Sequence, residues 1–445
     1  MFRKSIIITL LFVSIKLSGQ STESFRYIDS LTYNQYAEKR WNDLIRTGNH
    51  SVKNGHDYYY MRMRIGIAYY EKHNYYKSAN HFRKALEFNE KDQVALEYLF
   101  YSYYFSGRTP LAWDLISSFF PQNRERILDE SKIKKNSMTV ESFFNDSGTD
   151  KIISEPESYF SDIETGNQIV TKYFMNNALY ASHVVGKNAS YFHSYTNLIK
   201  ENYLNYLDGS VSAHLDPQRV VQNQYYGSFN FFSSKGWVVS PSLHLLTVGY
   251  PIISITTTGM NHSARTYNVR SNGLHVGLAV SKSFGFIGVG AETGYFVYNS
   301  TKNWQGTFSL MAYPLGNNNI YFGAKLSTGK ELNMVSSDLK IVKGFTAGFS
   351  IGRKIWFEFS GLTGDLINYT DNNGLYIYNS LDILKNKLTG RIIIPFNKAG
   401  ITIFAGGGIS SYSSELLSED GIISYGTNKL NYNSNNFTGG ISWNF

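Results

Sequence analysis

The chain contains no cysteine, few prolines and no long hydrophobic run beyond position 20. Without cysteine it can form no disulfide framework, no thiolate metal site and no lipid attachment at an N-terminal Cys. Because no later segment approaches about 18 consecutive apolar residues, a helical membrane protein is excluded. The net charge of +8 is spread along the chain, and no segment is basic enough to indicate nucleic-acid binding.

The segment 1–20 has the order of a secretory signal peptide. Arg3 and Lys4 precede the apolar stretch 5–15, and small polar residues follow. We expect cleavage between Gly19 and Ser21. The alternative is a retained anchor, but the apolar stretch is short for a bilayer span. The sequence therefore predicts an exported protein that, lacking Cys, is not a lipoprotein.

Residues 25–135 contain a motif that recurs at an interval of about 34 residues, the period of tetratricopeptide repeats. Small residues at the pattern positions would let two helices approach closely, and larger ones would fill the space between them. The second copy keeps the pattern at most positions but has Phe100 where the first has Gly66. An earlier copy, with Leu31 in register with Ile65, is a weaker extension of the pattern. The first copy consists of Ile65, Gly66, Tyr69, Ser78, Phe82 and Ala85, and the second of Leu99, Phe100, Tyr103, Ala112, Ile116 and Phe119.

Stacked repeats form a concave face that is lined by the first helix of each pair. An aromatic concave surface suits the capture of a peptide or a partner helix. The alternative is that these residues pack against a neighbouring helix or the rest of the protein. We assign residues 21–120 to this domain and the charged segment 121–136 to a last helix and linker. By register the exposed candidates are Tyr60, Met63, Ile67, Tyr70, Tyr101 and Tyr104.

From residue 137 onward the periodicity changes from 3.6 to two. In the last segment, Phe437, Ile441 and Phe445 alternate with polar residues such as Asn436 and Asn444. Similar alternation recurs in residues 287–297, 320–327 and 345–352. Either a soluble sandwich or a transmembrane barrel produces such strands.

Three features favour the barrel. Most strands span about 9 residues or more and alternate between short turns and longer connections, aromatic residues cluster at strand ends, and the chain ends on Phe445 within an alternating strand. Trp443 and Phe445 resemble the signal by which outer-membrane barrels are recognised for assembly. The longer connections lie near 207–219, 252–265, 331–338, 366–374 and 416–432, with 146–167 as a first extracellular loop.

The strand count follows from parity. A periplasmic N-terminal domain and a periplasmic C-terminal end require an even number of strands. Thirteen strands, one of them at 374–396, are recognisable after residue 170, and residues 137–145 supply the partner. The sequence therefore predicts an α + β multidomain protein in which a short helical repeat domain precedes an antiparallel barrel of about 14 strands over 137–445, with 12 or 16 as alternatives.

This combination resembles a group of outer-membrane proteins of the Bacteroidota that join a short tetratricopeptide domain to a C-terminal barrel. The likeness rests on residues 58–72, on 81–86 and on the ending 440–445. The resemblance implies an outer-membrane location with a periplasmic N-terminal domain. It supplies no catalytic or ligand-binding residues.

No zinc-protease, Walker or dinucleotide-binding motif is present, and the Gly348 to Gly352 match to a nucleophile elbow lies inside an alternating strand. The adjacent pairs Ser182-His183, His193-Ser194 and His262-Ser263 lack a third orienting group. We therefore expect no enzyme, cofactor or metal site.

Alternation places a mixed set of charged and imidazole side chains on the polar face of the strands. Such residues either set the selectivity of a channel or brace a closed lumen with salt bridges, and the balanced signs favour bracing. The set consists of His275, Glu292, Lys325, Glu358 and Arg391.

The leading functional prediction is a non-enzymatic outer-membrane protein whose helical domain binds a periplasmic protein or peptide while the barrel anchors it. Membrane lipid and the barrel-assembly machinery are further expected partners. The alternative is a pore or transporter for a small or hydrophobic solute, with the helical domain as plug or dock.

Overall fold

The computed structural model of the chain describes residues 24–131, 133–148, 166–186, 188–208, 211–233, 236–258, 261–284, 286–333, 339–352, 354–396, 399–414, 416–417 and 430–445. The predicted signal peptide and most of the connections at 146–167 and 416–432 lie outside these residues. Within them, the chain forms a helical domain followed by a closed β-barrel.

The helical domain contains three consecutive helix pairs and a final helix. The first helices of the three pairs, α1, α3 and α5, begin 34 residues apart. The second helices, α2, α4 and α6, follow the same spacing. The repeat therefore includes the weaker early copy around Leu31. None of the described helices combines the length and apolar character needed to cross a membrane. The helices are α1 Phe25–Ala37, α2 Trp41–Lys53, α3 Tyr59–Glu71, α4 Tyr75–Phe88, α5 Gln93–Phe105, α6 Thr109–Leu115 with the 3₁₀ turn Ile116–Ser118, and α7 Pro121–Ser131.

The turn within each helix pair has the same backbone conformation. Lys39, His73 and Gly107 have φ angles of 55°, 58° and 75°, in the left-handed region, and follow one another at the same interval as the helices. A left-handed residue after a helix ends it and redirects the chain. The side chain of Asn74 then caps α4 by accepting a hydrogen bond from the Lys77 amide at 3.2 Å. The backbone conformation that ends the first helix of each pair therefore recurs at the same interval as the helices.

The core of the helical domain is apolar and tightly packed. Ile65, Phe82 and Phe100 are fully buried. A Cβ atom on Gly66 would lie 3.0 Å from the ring of Phe82, so α3 and α4 approach each other as closely as glycine allows. This is the helix approach that the repeat pattern predicts.

Fourteen antiparallel strands of the described chain form the barrel wall, as predicted. The barrel closes because β1 pairs with both β2 and β17. Strands β2–β6 have 20 to 24 residues and β7–β11 have 10 to 12, so one side of the wall is taller. The wall strands are β1 Asn136–Asp146, β2 Gly166–Val185, β3 Ala189–Asp208, β4 Val211–Phe232, β5 Trp237–Thr258, β6 Asn261–Phe284, β7 Ile287–Tyr298, β8 Thr301–Ala312, β9 Ile320–Glu331, β10 Lys340–Ile351, β11 Ile355–Gly364, β14 Ile383–Phe396, β15 Ile401–Ser414 and β17 Leu430–Asn444.

Many apolar side chains of the wall point outward, while polar side chains and two apolar clusters, around Val170 and Phe296, lie inside. Outward-facing Leu243, Phe308 and Phe437 are 44%, 56% and 60% exposed, whereas inward-facing His244 and Ser327 are buried. A sandwich would bury the apolar faces between two sheets, so the sandwich alternative is excluded. Aromatic residues stand near both rims, with Trp237 and Phe284 at the short-turn end and Tyr295 and Trp304 near the other end.

The predicted strand at 374–396 is wrong at its start. The wall strand begins only at Ile383, and residues 365–382 fold into the barrel as an inner loop that contains the short strands β12 Tyr369–Asp371 and β13 Tyr376–Tyr378. The turn between them has left-handed residues at Asn372, Asn373 and Gly374. Asn and Gly tolerate this conformation, which allows a tight hairpin. A further short strand, β16 Leu416–Leu417, pairs with β2.

Candidate functional site

The tip of the inner loop reaches across the lumen to the wall at β5–β7. The Asn373 amide donates to Glu292 Oε2 at 2.9 Å, and Ser242 Oγ donates to the Asn373 carbonyl at 2.7 Å. His244 Nδ1 lies 2.6 Å from the Gly374 carbonyl, so this nitrogen carries the proton. The wall therefore holds the tip through several strands.

Gly374 fits its place because it has no side chain. Its φ angle is 85°, and a Cβ atom there would lie 2.1 Å from the ring of His275. His275, which is 1% exposed, thus forms the seat of the tip. A larger residue at position 374 requires the tip or the imidazole to move.

The C-terminal end of the inner loop is anchored by a buried carboxylate. Lys200 Nζ lies 2.8 Å from Asp382 Oδ1, and the hydroxyls of Thr171 and Tyr432 donate to Oδ2 of the same carboxylate. The Asp382 side chain has no solvent exposure. A buried carboxylate with this many donors is strongly held in its ionised form. This anchor joins β2, β3 and β17 to the loop.

Further contacts fix the middle of the loop. Lys325 forms an ion pair with Asp371, and Gln305 exchanges two hydrogen bonds of 2.6 and 3.0 Å with the Thr370 backbone. Leu366 packs in an apolar cluster with wall residues of β2, β3, β10, β14, β15 and β17. Polar and apolar contacts together hold the loop across the lumen.

The inner loop and the wall border a cavity of about 690 Å³. Its walls come largely from β1–β4, β14 and the loop itself. This volume is within the range of small-molecule sites. The charged lining residues are Lys200, Lys325, Lys387, Arg391, Glu141, Glu358, Asp371 and Asp382, and the aromatic ones are Phe143, Phe174, Tyr180, Tyr203, Tyr250, Tyr298, Tyr376, Tyr378 and Tyr412.

The five side chains predicted for the lumen all lie on the inner side of the wall, in two groups. His275 and Glu292 contact the loop tip, whereas Lys325, Glu358 and Arg391 line the cavity. Arg391 pairs with Glu141 at 3.3 Å, and Glu358 accepts a hydrogen bond from Tyr321.

Sequence reasoning missed the remaining charged groups of the cavity. Lys387 could have been found, because it lies four residues before Arg391 on the same strand and therefore on the same face. Lys200 and Asp382 gave no such signal, since they are 182 positions apart in the sequence and only the fold brings them into contact. The inner hairpin had a signal in the Asp371 to Gly374 turn sequence.

The predicted concave face is only partly exposed. Tyr60 is 63% exposed, but Met63 and Ile67 are buried in the helical core, so their predicted exposure is wrong. The reason is that α5 packs against α3, so that Met63 and Ile67 join a core cluster with Leu96 and Leu99. Tyr70 packs edge-on against Tyr98 at 5.0 Å. Tyr101 stacks on Phe105, and Tyr104 on Phe100.

The helical domain docks on the short-turn end of the barrel. The ring of Tyr76 in α4 stacks on Tyr313 at 5.3 Å, and the Asn317 side chain donates to the His73 carbonyl at 3.0 Å. Lys77 Nζ lies 5.9 Å from the ring centre of Phe286 in another short turn. The two parts of the molecule therefore share a packed interface.

Other predicted positions lie at the barrel seam and on its outer side. Phe445 exchanges two backbone hydrogen bonds of 3.0 and 2.9 Å with Asn136, while Trp443 pairs with residues of β1 and β15. The Nε2 atoms of His183 and His193 lie 3.3 Å apart. The side chain of His262 falls outside the described part of the chain.

Several solved structures share the barrel fold at low sequence identity. The toluene transporter TodX of Pseudomonas putida matches with a TM-score of 0.43 and 8% identity over 70% of this chain and 90% of its own. The toluene transporter TbuX of Ralstonia pickettii matches at 0.42 and 9% over 70% and 90%, and a FadL homologue of Pseudomonas aeruginosa at 0.44 and 5% over 76% and 92%. No protein-family model matches the chain. No curated protein matches it either.

The leading functional prediction, a partner-binding helical domain with the barrel as its anchor, is wrong. Part of the predicted binding face is buried, since Met63 and Ile67 belong to the helical core. The barrel also encloses a lined cavity, which an anchor does not need. These findings favour the alternative prediction of a pore or transporter.

Proposed function

We propose that the protein is an outer-membrane barrel that passes a small, largely apolar solute through its lumen. The inner loop acts as the constriction, and the helical domain docks at the periplasmic mouth. The single observation that carries the proposal is the cavity of about 690 Å³ between the loop and the wall. Such a cavity, lined by aromatic residues and a few charges, has the character of a small-molecule site.

The way the inner loop is held supports passage of a compact solute. Side chains of the wall hold the loop at its tip, Gly374, and at its C-terminal end, Asp382. A loop fixed in this way narrows the lumen. A narrowed lumen selects by size and by the groups that line it. Toluene, which TodX is described as transporting, illustrates the size class.

Orientation and class are part of the proposal. In outer-membrane barrels the short turns face the periplasm, so docking at the short-turn end supports a periplasmic position of the helical domain. We assign the helix pairs to the tetratricopeptide class because of their repeat interval. The same proposal includes the signal peptide and the resemblance to Bacteroidota proteins. It also includes recognition of Trp443 and Phe445 by the assembly machinery and the absence of enzymatic chemistry.

Entry of N-phenyl-1-naphthylamine into intact Gram-negative cells tests the proposal. This apolar aromatic probe fluoresces once it has passed the outer membrane. We expect faster entry in cells that carry the folded chain than in cells with the empty vector. Leu198→Trp, which fills part of the cavity, should return the entry rate toward that of the empty vector.

The matched control is Leu243→Trp, because Leu243 points outward from the wall. The Leu243→Trp variant should reach the same amount in the outer membrane as the wild type and leave the entry rate of the probe unchanged. Gel mobility before and after boiling verifies that each variant is folded. A folded wild-type barrel that gives no faster entry than the vector would refute the proposed function.

A further inference from the structure

The cavity contains one cation that differs from the others in its surroundings. Lys200 pairs with Asp382, Lys325 with Asp371 and Arg391 with Glu141. These ion pairs use three of the four carboxylates that line the cavity. The fourth, Glu358, accepts a hydrogen bond from Tyr321. Among the described residues, the cations of the cavity are therefore paired within the protein, with the exception of Lys387.

Lys387 has no carboxylate of the described residues within ion-pair distance. Its ammonium lies 3.4 Å from the Tyr378 hydroxyl and 5.2 and 5.5 Å from the ring centres of Phe143 and Tyr378. Aromatic faces offset only part of the cost of removing an ammonium from water. An anion brought by a ligand would offset more of it, and Lys387 borders the space in which a ligand fits.

Part of the cavity surface near this ammonium is apolar. Phe143 stacks on Phe174 with their ring centres 5.5 Å apart, and Leu198 and Val220 line the same cavity. The Phe143 ring thus borders both the ammonium and an aromatic wall. A ligand that satisfies both needs one acidic head and a compact apolar or aromatic body.

We propose that the lumen site binds a monoanionic aromatic amphiphile, with its acidic head on Lys387 and its ring against Phe143 and Phe174. The inference rests on the proposed function, since it names the solute class for that lumen. It separates this chain from a carrier of neutral hydrocarbons such as toluene. The distinguishing feature is a single cation in a cavity whose other described cations are paired.

Equilibrium dialysis of the detergent-solubilised full chain tests the inference with two probes of equal size. We expect 3-phenylpropanoate to bind at least about tenfold more tightly than 3-phenylpropan-1-ol, because its carboxylate forms an ion pair with the Lys387 ammonium, whereas the hydroxyl forms only a hydrogen bond as a neutral acceptor. Lys387→Met should remove this difference, with a much larger loss of affinity for the acid than for the alcohol. Lys387→Arg should keep it, because the charge remains.

The matched control is Lys343→Met, since Lys343 lies on β10 on the outward face, next to outward-facing Phe345 two residues along. It should leave both affinities unchanged. Equal affinities for acid and alcohol in the wild type, absence of binding for both, or a preference for the acid that persists in Lys387→Met would each overturn the inference. None of these outcomes affects naphthylamine entry, so the proposed function is judged separately.

Discussion

In the helical domain the fully buried side chains include Ile65, Phe82 and Phe100, whereas the buried side chains of the barrel lumen include His244, His275 and Asp382. Many apolar side chains of the barrel stand on its outer face, and smaller apolar clusters, such as the one around Leu366, lie inside. Both parts follow the same rule, which is that apolar groups leave water. The comparison teaches that alternation or helical periodicity alone does not say where the apolar side faces, because the surroundings decide this.

The two parts also differ in how their interiors are stabilised. The helical core depends on close packing, with Gly66 against Phe82. The lumen depends on ion pairs and hydrogen bonds to the inner loop, such as Lys200 to Asp382. Packing tolerates little change in volume, while a polar network tolerates little change in partners. A change in side-chain volume should therefore cost most stability in the helical core, and the loss of a polar partner should cost most in the lumen.

The largest effect is expected for Phe82→Ala in the helical core. Removal of this fully buried ring should destabilise the helical domain by about 3–5 kcal/mol. Urea unfolding followed by the helical circular dichroism signal measures the loss, and the boiling-dependent gel shift of the barrel should persist. Phe88→Ala on the same helix is the control, because Phe88 is 52% exposed and should cost little. Similar losses in both variants would contradict a packed core.

A charge on the outer wall is expected to be nearly as damaging. Phe345→Arg should destabilise the barrel in lipid by about 2–4 kcal/mol, the cost of an arginine facing the bilayer. The adjacent Thr346→Arg points into the cavity and should cost much less. Urea unfolding in vesicles, followed by tryptophan fluorescence, compares the two variants. Equal costs would break the distinction between lipid-facing and lumen-facing residues.

A smaller effect is expected at the tip of the inner loop. Gly374→Ala adds a methyl group beside His275 in a left-handed conformation, which should cost about 1–3 kcal/mol and displace the tip. Entry of N-phenyl-1-naphthylamine should become faster. Gly352→Ala is the control, because Gly352 also has a positive φ angle but faces open space. If both variants leave the entry rate unchanged, the tip does not limit passage.

The smallest effect is a pH dependence of the helical domain. Burial, and then the charge of Arg62, lower the pKa of His81 to about 3. The unfolded chain, with a pKa near 6.5, binds more protons between these values, so stability should fall as the pH drops below 6.5, by roughly 1 kcal/mol for each pH unit. Urea unfolding between neutral and mildly acidic pH measures the slope. His81→Gln should reduce it, and an unchanged slope would assign the effect to other groups.

Much of the fold was predictable from particular residues. The alternation of Phe437 and Ile441 with polar neighbours identified a two-faced strand, and parity led to residues 137–145 as the missing partner of the closed wall. The start of β14 was not predictable in this way. Tyr376 and Tyr378 continue the alternation of the strand after them, so a hairpin inside the lumen and a wall strand look alike in sequence.

The site was less predictable than the fold. Alternation identified which charged residues, such as Lys325 and Arg391, belong to the polar face, because strand geometry fixes the side of each residue. It did not identify their partners, since Asp371 and Glu141 lie on distant segments. In the helical domain, register placed Met63 and Ile67 on a concave face, but helices stacked later in the chain cover them.

The sequence by itself determined the repeat interval of the helices and the two-residue alternation of the strands, because both are set by local backbone geometry. Only the tertiary structure decided that residues 365–382 cross the lumen, that Asp382 meets Lys200, and that Lys387 stands beside an aromatic wall with no described carboxylate in ion-pair reach. These arrangements depend on which strands face each other across a closed barrel. Closure brings together residues that no local pattern relates.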